Sequence, residues 1–215
     1  MPGDSPSESV ADSASQEAKP AAGVSATSAQ RIEFRQLTLE DGLSQSTINC
    51  IVQDSQGFMW FGTQDGLNRY DGYEFRVYEH EPDAPHSLSS NWVQRCHRDP
   101  QDRLWFVTQD SVLHRYDAAL DRFDRYPLEI EHPHRQARAN IRALLAELSG
   151  MLWIGTYCVV LLPYDPVDDL LVYYRDDLDD PAAEGPHENK VYTILEDSAG
   201  TLWFGTGDGL VRYDE

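Results

Sequence analysis

The chain holds 215 residues, 40% of them hydrophobic and 25% charged, enough for a sizeable core, and it carries a formal charge of -20 at pH 7. That surplus of Asp and Glu excludes a phosphate-backbone partner, so no nucleic acid is expected. No apolar run approaches the roughly 18 residues that a membrane span needs. Cys50, Cys96 and Cys158 show neither a metal-ligand spacing nor a disulfide framework.

Residues 1–31 are rich in Ser, Ala, Pro and acidic groups and contain no aromatic residue. Such a segment buries too little apolar surface to offset its ordering entropy and is expected to be a disordered tail. It lacks the basic start and apolar stretch of a secretory signal, which by itself predicts a cytoplasmic protein. Order is expected from 32 to 215. Arg31-Ile-Glu-Phe-Arg-Gln-Leu-Thr38 alternates with period two, so residues 32–38 are expected to form an outer strand. Short strands then follow in sets of four, at about 46–79, 91–127, 139–175 and 188–214, the last set lacking its outermost member.

The organising stretch is Asp54 to Asp71, which reads as strand end, turn, strand, turn, strand. Gly57 and Gly66 punctuate it, and Trp60, Leu67 and Tyr70 supply its large apolar groups. It returns at Asp99–Asp117, Glu147–Asp165 and Asp197–Asp214, with Gly150, Gly200 and Gly209 at matching turns. The tryptophans Trp60, Trp105, Trp153 and Trp203 stand 45, 48 and 50 residues apart. A period of that size with several short strands per unit predicts an all-β fold, a β-propeller of about four four-stranded antiparallel blades. Closure stays open between two arrangements. The N-terminal strand could supply the piece that the last blade lacks, or the blades could be an open arc of a larger propeller. Closing four blades demands about 90° of turn each, and closing seven only about 51°.

The residues Asp54-x-x-Gly57-x-x-Trp60-Phe61-Gly62-Thr63-x-x-Gly66-Leu67-x-x-Tyr70-Asp71, preceded by Gly42-Leu43-Ser44 and Ile48-x-x-Ile51, resemble the two-component regulator propeller repeat. Asp197 to Asp214 matches it equally well. The second unit departs at Asp102 and Val107, and the third at Glu147 and Tyr157-Cys158-Val159-Val160. The resemblance implies a non-catalytic, periplasmic ligand-sensing region of a bacterial receptor. Its implied partners are a small molecule and a second copy of the receptor in a homodimer. The output kinase or cyclase module is not in this chain.

Several motifs have plainer readings. Each Asp-x-x-Gly turn is read as an Asp capping its own turn while Gly supplies positive φ, with Asp102 tolerating that conformation. The four tryptophans, one per blade at one register, are read as packing residues rather than a sugar-stacking set. The acidic loop Asp176–Glu184 lacks calcium-loop spacing and His132-Pro133-His134 reads as a turn, so no metal and no cofactor are expected. Cys50 and Cys96 lie four and three residues before their acidic turn residues. They should therefore point to opposite faces of their strands as small buried hydrophobes.

Outer-to-inner connections and middle turns share one face of a propeller, where short loops converge on the channel. The residues expected there are Gln45, Ser46, Gln64, Asp65, Asn91, Trp92, Gln109, Asp110, Asn140, Arg142, Tyr157, Asn189 and Asp208. Trp92 is the large aromatic where the other units carry Thr47, Asn140 and Lys190, so it is a candidate stacking platform as well as a candidate packing residue. Amides, aromatics and one arginine suit a polyhydroxylated or acidic ligand. Alternative functions are a propeller lyase or hydrolase, and a cytoplasmic interaction scaffold.

Overall fold

The computed structural model describes residues 33–127, 141–147, 149–156, 162–165, 170–171 and 190–213. The chain divides into two units, Met1–Arg35 and Gln36–Glu215, and every strand among the described residues lies in the second. After a 3-10 turn at Leu39–Asp41 come β1 (Ile48–Gln53), β2 (Met59–Thr63), β3 (Leu67–Tyr70) and β4 (Phe75–Tyr78). The second set is β5 (Val93–Arg98), β6 (Leu104–Thr108), β7 (Val112–Asp117) and β8 (Arg122–Pro127). The third is β9 (Ile141–Ala146), β10 (Leu152–Thr156), β11 (Leu162–Asp165) and β12 (Leu170–Leu171). The fourth is β13 (Val191–Glu196), β14 (Leu202–Thr206) and β15 (Gly209–Tyr213). Each set is its own antiparallel meander. Strands β1, β5, β9 and β13 pack side by side in that order, so they form the inner layer of an all-β propeller arc.

The N-terminal segment corrects one expectation. Among the described residues, 33–38 form no strand and the fourth sheet has three strands, so the outer strand predicted at 32–38 does not close a ring and the arc is open. Thr38 N–H donates to Asp41 Oδ2 at 2.8 Å, completing a capping box that turns the chain into the 3-10 turn. The N–H that Thr38 would lend to a ladder is thereby used locally. In the first sheet Asp71 Oδ1 accepts from the N–H groups of Tyr73 and Glu74, both at 2.8 Å, and β4 begins just after them at Phe75. Of the third set, expected at about 139–175, residues 139–140, 148, 157–161, 166–169 and 172–175 lie outside the described residues.

The repeat is held by one hydrogen-bonded device. Asp54 Oδ1 accepts from Gln56 N and Phe58 N, each at 2.9 Å, while Oδ2 accepts from the Trp60 indole N–H at 2.8 Å. Asp99 does the same for Gln101, Arg103 and Trp105, and Asp197 for Ala199, Thr201 and Trp203. Glu147 substitutes in the third repeat. Its longer side chain reaches the Trp153 indole, and Ser149, which donates to Glu147 Oε2 at 2.7 Å, accepts from Met151 N in its place. Gly57 has φ 92° and Asp102, its counterpart, φ 64°, so the aspartate does adopt the left-handed conformation expected of it.

The core lies between sheets, not within them. Trp60, Leu67, Leu88, Val93, Leu104, Phe106 and Phe123 form the cluster joining the first two sheets. Trp105, Val107, Leu113, Ile141, Leu152, Ile154 and Tyr164 join the second and third, and Trp153, Val191, Ile194, Leu202 and Phe204 join the third and fourth. Trp60 stacks on Tyr78 at 5.6 Å between centroids and meets Tyr116 edge-on at 4.7 Å. Trp203 differs from its three counterparts. It keeps its bond to Asp197 and has the Arg212 guanidinium 5.8 Å from its ring, but it is only half-buried and belongs to none of these clusters.

Burying about 150–250 Å² of tryptophan contributes some 4–6 kcal/mol at about 25 cal/mol per Å². Trp60→Ala should therefore cost about 3–5 kcal/mol by urea unfolding. Trp203→Ala should cost less than half as much. Equal losses at the two positions would show that the inter-sheet cluster is not the source of the stability.

Candidate functional site

One end of the meanders carries the β2–β3, β6–β7 and β14–β15 turns together with the connections entering β5 and β13. Backbone bonds lock these loops to each other. Gln109 N donates to Trp92 O at 2.9 Å, Gly207 N to Lys190 O at 3.1 Å, and Gly66 N to Asn91 O at 2.7 Å. Each middle turn is thus tied to a residue that precedes an inner strand, so turns and connections share one rim as the sequence pattern implied.

Within this rim the predicted residues separate by how far their side chains are engaged. Asn91 Nδ2 donates to Asp65 Oδ1 at 3.1 Å, and its own Oδ1 accepts from His80 N. Asp110 Oδ1 accepts from Ser89 Oγ at 3.0 Å and from Thr108 Oγ1 at 2.5 Å. Gln45 folds back through Oε1 onto Thr47 N. These groups hold the loops in shape. Ser46, Gln64 and Asp208 are exposed, while Gln109 is exposed beside the half-buried Trp92. Arg142 is exposed, and its carbonyl accepts from Arg95 Nε at 2.8 Å. Asn140, Tyr157 and Asn189 lie outside the described residues.

The connection before β5 is anchored from below. Ser89 Oγ meets Thr108 Oγ1 at 2.8 Å, and Ser89 N–H donates to His114 Nε2 at 3.0 Å, with His114 Nδ1 3.1 Å from Val112 O. The first repeat uses the same plan with an amide: Ser44 N–H donates to Asn68 Oδ1 at 2.9 Å, and Ser44 Oγ meets Thr63 Oγ1 at 3.1 Å. His114 is fully buried, as are Leu43 and Leu88 beside these serines. Burial pushes its pKa down to about 4. The neutral ring with Nδ1 protonated is the form that accepts from Ser89.

A further set of residues escaped the sequence pattern. Every inner strand carries a register shift at one position, with an extra residue between Ile48 and Cys50, Val93 and Arg95, Ile141 and Ala143, and Val191 and Thr193. The inserted residues are Asn49, Gln94, Arg142 and Tyr192. A β-bulge re-aims its extra side chain relative to the strand's alternation. Only Arg142 of the four was singled out beforehand. The signal lay in Ile48-x-x-Ile51 and its counterparts Val93-x-x-Cys96, Ile141-x-x-Leu144 and Val191-x-x-Ile194. A spacing of three between residues meant for one face breaks a period of two and demands an insertion. Asn49 Nδ2 also donates to Val93 O at 2.9 Å, linking β1 to β5 as Arg95 links β5 to β9. A cleft of about 420 Å³ at the opposite end, lined by Glu147, Ser149, Glu196, Thr201 and Tyr213 among others, contains none of the predicted site residues.

Comparison with known proteins bears on what such a rim serves. The family model described as two component regulator propeller matches residues 42–65 and 185–208. A stretch of 56 residues, 26% of this chain, is 46% identical to part of histidine kinase P4 of Formosa agariphila and covers 4% of that protein. Among solved structures, the extracellular domain of a hybrid two component system from B. thetaiotaomicron superposes with a TM-score of 0.68 and 26% identity. That match covers 84% of this chain and 26% of the other. The extracellular domain of a one component system from the same organism gives a TM-score of 0.63 at 23% identity, a likeness of fold, covering 84% of this chain and 23% of the other. The chain therefore spans about a quarter of each of these two structures.

The buried histidine generates a pH prediction. A folded pKa of about 4, against the usual 6.5, means that the unfolded chain binds the extra proton first. Stability is complete above about pH 6.5 and falls as the pH drops toward 4, by about 3 kcal/mol in all at 1.36 kcal/mol per unit. His97, whose pKa burial also lowers, acts in the same direction. His114→Asn, copying Asn68, should flatten most of this slope in urea melts at pH 7, 5.5 and 4.5. An unchanged slope would show that His114 is not the titrating group.

Proposed function

We propose that this chain, which is built from repeats of the two-component regulator propeller family, is a ligand-sensing segment of a bacterial signal-transduction receptor. The observation that carries this reading is the match over 84% of the chain, at 26% identity, to an extracellular domain of a hybrid two component system. The reading places the segment on the extracytoplasmic side, beside a second copy of the receptor, with an output module elsewhere in the signalling protein.

The composition of the rim supports one ligand class. Trp92 offers a half-buried aromatic side chain, Arg142 an exposed cationic side chain, and Gln94 and Gln109 amide donors and acceptors. Aromatic stacking with amide and guanidinium hydrogen bonds suits a sugar that carries carboxylates. The protein's net charge of -20 repels such a ligand at long range, so recognition has to come from short-range contacts on the rim. The role is binding, and no catalytic residue is assigned.

A thermal-shift screen of the whole chain against neutral and uronate-containing oligosaccharides tests the reading. A ligand at 100 times its Kd adds about 2.7 kcal/mol, or roughly 5–10 °C in Tm for a protein of this size. Trp92→Ala and Arg142→Ala should each weaken the bound oligosaccharide at least about tenfold, a loss of about 1.4 kcal/mol. A shift that survives the loss of both side chains would move the site off this rim. No shift with any oligosaccharide would reject the ligand class.

A further inference from the structure

Cys50 and Cys96 point to opposite faces of two different sheets, and stacking brings those two faces together. Strands β1 and β5 lie side by side as inner strands. Cys50 pairs across its own sheet with Gly62. A Cβ built on Gly62 would come 2.6 Å from Cys50 Sγ and 2.8 Å from Val93 Cγ1, so the sulfur sits on the face turned toward β5, beside Val93. The bulge at Gln94 places Val93 and Cys96 on one face of β5, toward the first sheet, and both cysteines pack against the cluster of Trp60 and Phe106. The two thiols lie close enough to interact electrostatically. Both side chains are half-buried rather than sealed.

The geometry points to Cys50 and Cys96 as a redox-active pair that closes into a disulfide and staples the first blade to the second. The closeness of Cys50, together with burial, pushes the Cys96 thiol up. One of the two cysteines, as its thiolate, displaces one thiol from a disulfide oxidant such as oxidised glutathione, forming a mixed disulfide. The sulfur of the other cysteine then gives up its proton to solvent, attacks the first and releases the second thiol. One S–S bond forms as one breaks, two protons leave the protein, and two electrons pass to the oxidant. An extracytoplasmic setting, as in the sensor reading, supplies such oxidants, though the reaction itself is independent of ligand binding.

The test uses the whole chain, reduced, desalted and exposed while folded to oxidised glutathione at pH 8. Free thiols are then alkylated in denaturant, and the protein is digested with trypsin without reduction. The expected product joins residues 36–69 to residues 96–98, with Cys158 alkylated or glutathionylated. Oxidation should raise Tm by about 5–10 °C, reversed by dithiothreitol. Cys50→Ser and Cys96→Ser should each lose both the linked peptide and the shift. Recovery of Cys50 and Cys96 both alkylated, or joined only to glutathione or to Cys158, overturns the proposal. A linked peptide without any rise in Tm retains the disulfide but overturns its role as a staple.

Discussion

The hydrogen bond from each anchor indole to the acidic residue of its own turn is the constraint on which the rest of the structure depends. A buried indole N–H left without an acceptor costs about 1–3 kcal/mol. Asp54, Asp99 and Asp197 each supply that acceptor while closing their own turn, with one oxygen taking two backbone N–H groups and the other fixing the ring. The ring then stands at a set angle on its sheet, ready to enter the next. Local turn chemistry and long-range packing are therefore one interaction in this fold, which explains why the same few residue types return in every repeat.

Because the core lies between sheets, each blade owns only half of the surface that stabilises it. The Tyr78, Tyr116 and Phe123 rings around Trp60 come from both partners. Asp121 completes the join from the second sheet, accepting from the Tyr78 and Tyr116 hydroxyls at 2.8 and 2.7 Å and pairing with Arg76. The cost appears at the two ends of the arc. Ile51 on β1 is 58% exposed, and Leu195 and Leu210 on the last sheet 60% and 69%, where their described counterparts in the middle sheets are half-buried or buried. A stack of sheets whose interfaces are its core stays incomplete wherever an interface lacks a partner.

The rim holds two kinds of residue. Asn91, Asp65, Asp110, Ser89 and His114 hold the loops, and their polar atoms are largely engaged. Trp92, Arg142 and the other bulge residues stand on that scaffold, rooted in inner strands that are themselves cross-linked by Asn49 and Arg95. Residues placed by a bulge can vary in type without disturbing the ladder, because their side chains lie outside its alternation. A fold that repeats its packing residues strictly is thus left free to vary what it presents at one end.

The sequence by itself determined the repeat, the strand order within each sheet and nearly every strand boundary, because turn residues and apolar alternation are local properties that recur four times. Strands such as Leu67–Tyr70, Leu104–Thr108 and Leu202–Thr206 appear where the pattern placed them. Three things were decided only by tertiary structure. Residues 33–38 alternate like a strand but form none, and Thr38 at their end spends its N–H on a cap. Asn49, Gln94 and Tyr192 left the alternation of their strands through a register shift that exists only when two strands pair. Cys50 and Cys96, directed to opposite faces by strict alternation, meet because stacking turns the front of one sheet to the back of the next. In each case the deciding contact joins elements that the chain's local pattern cannot see together.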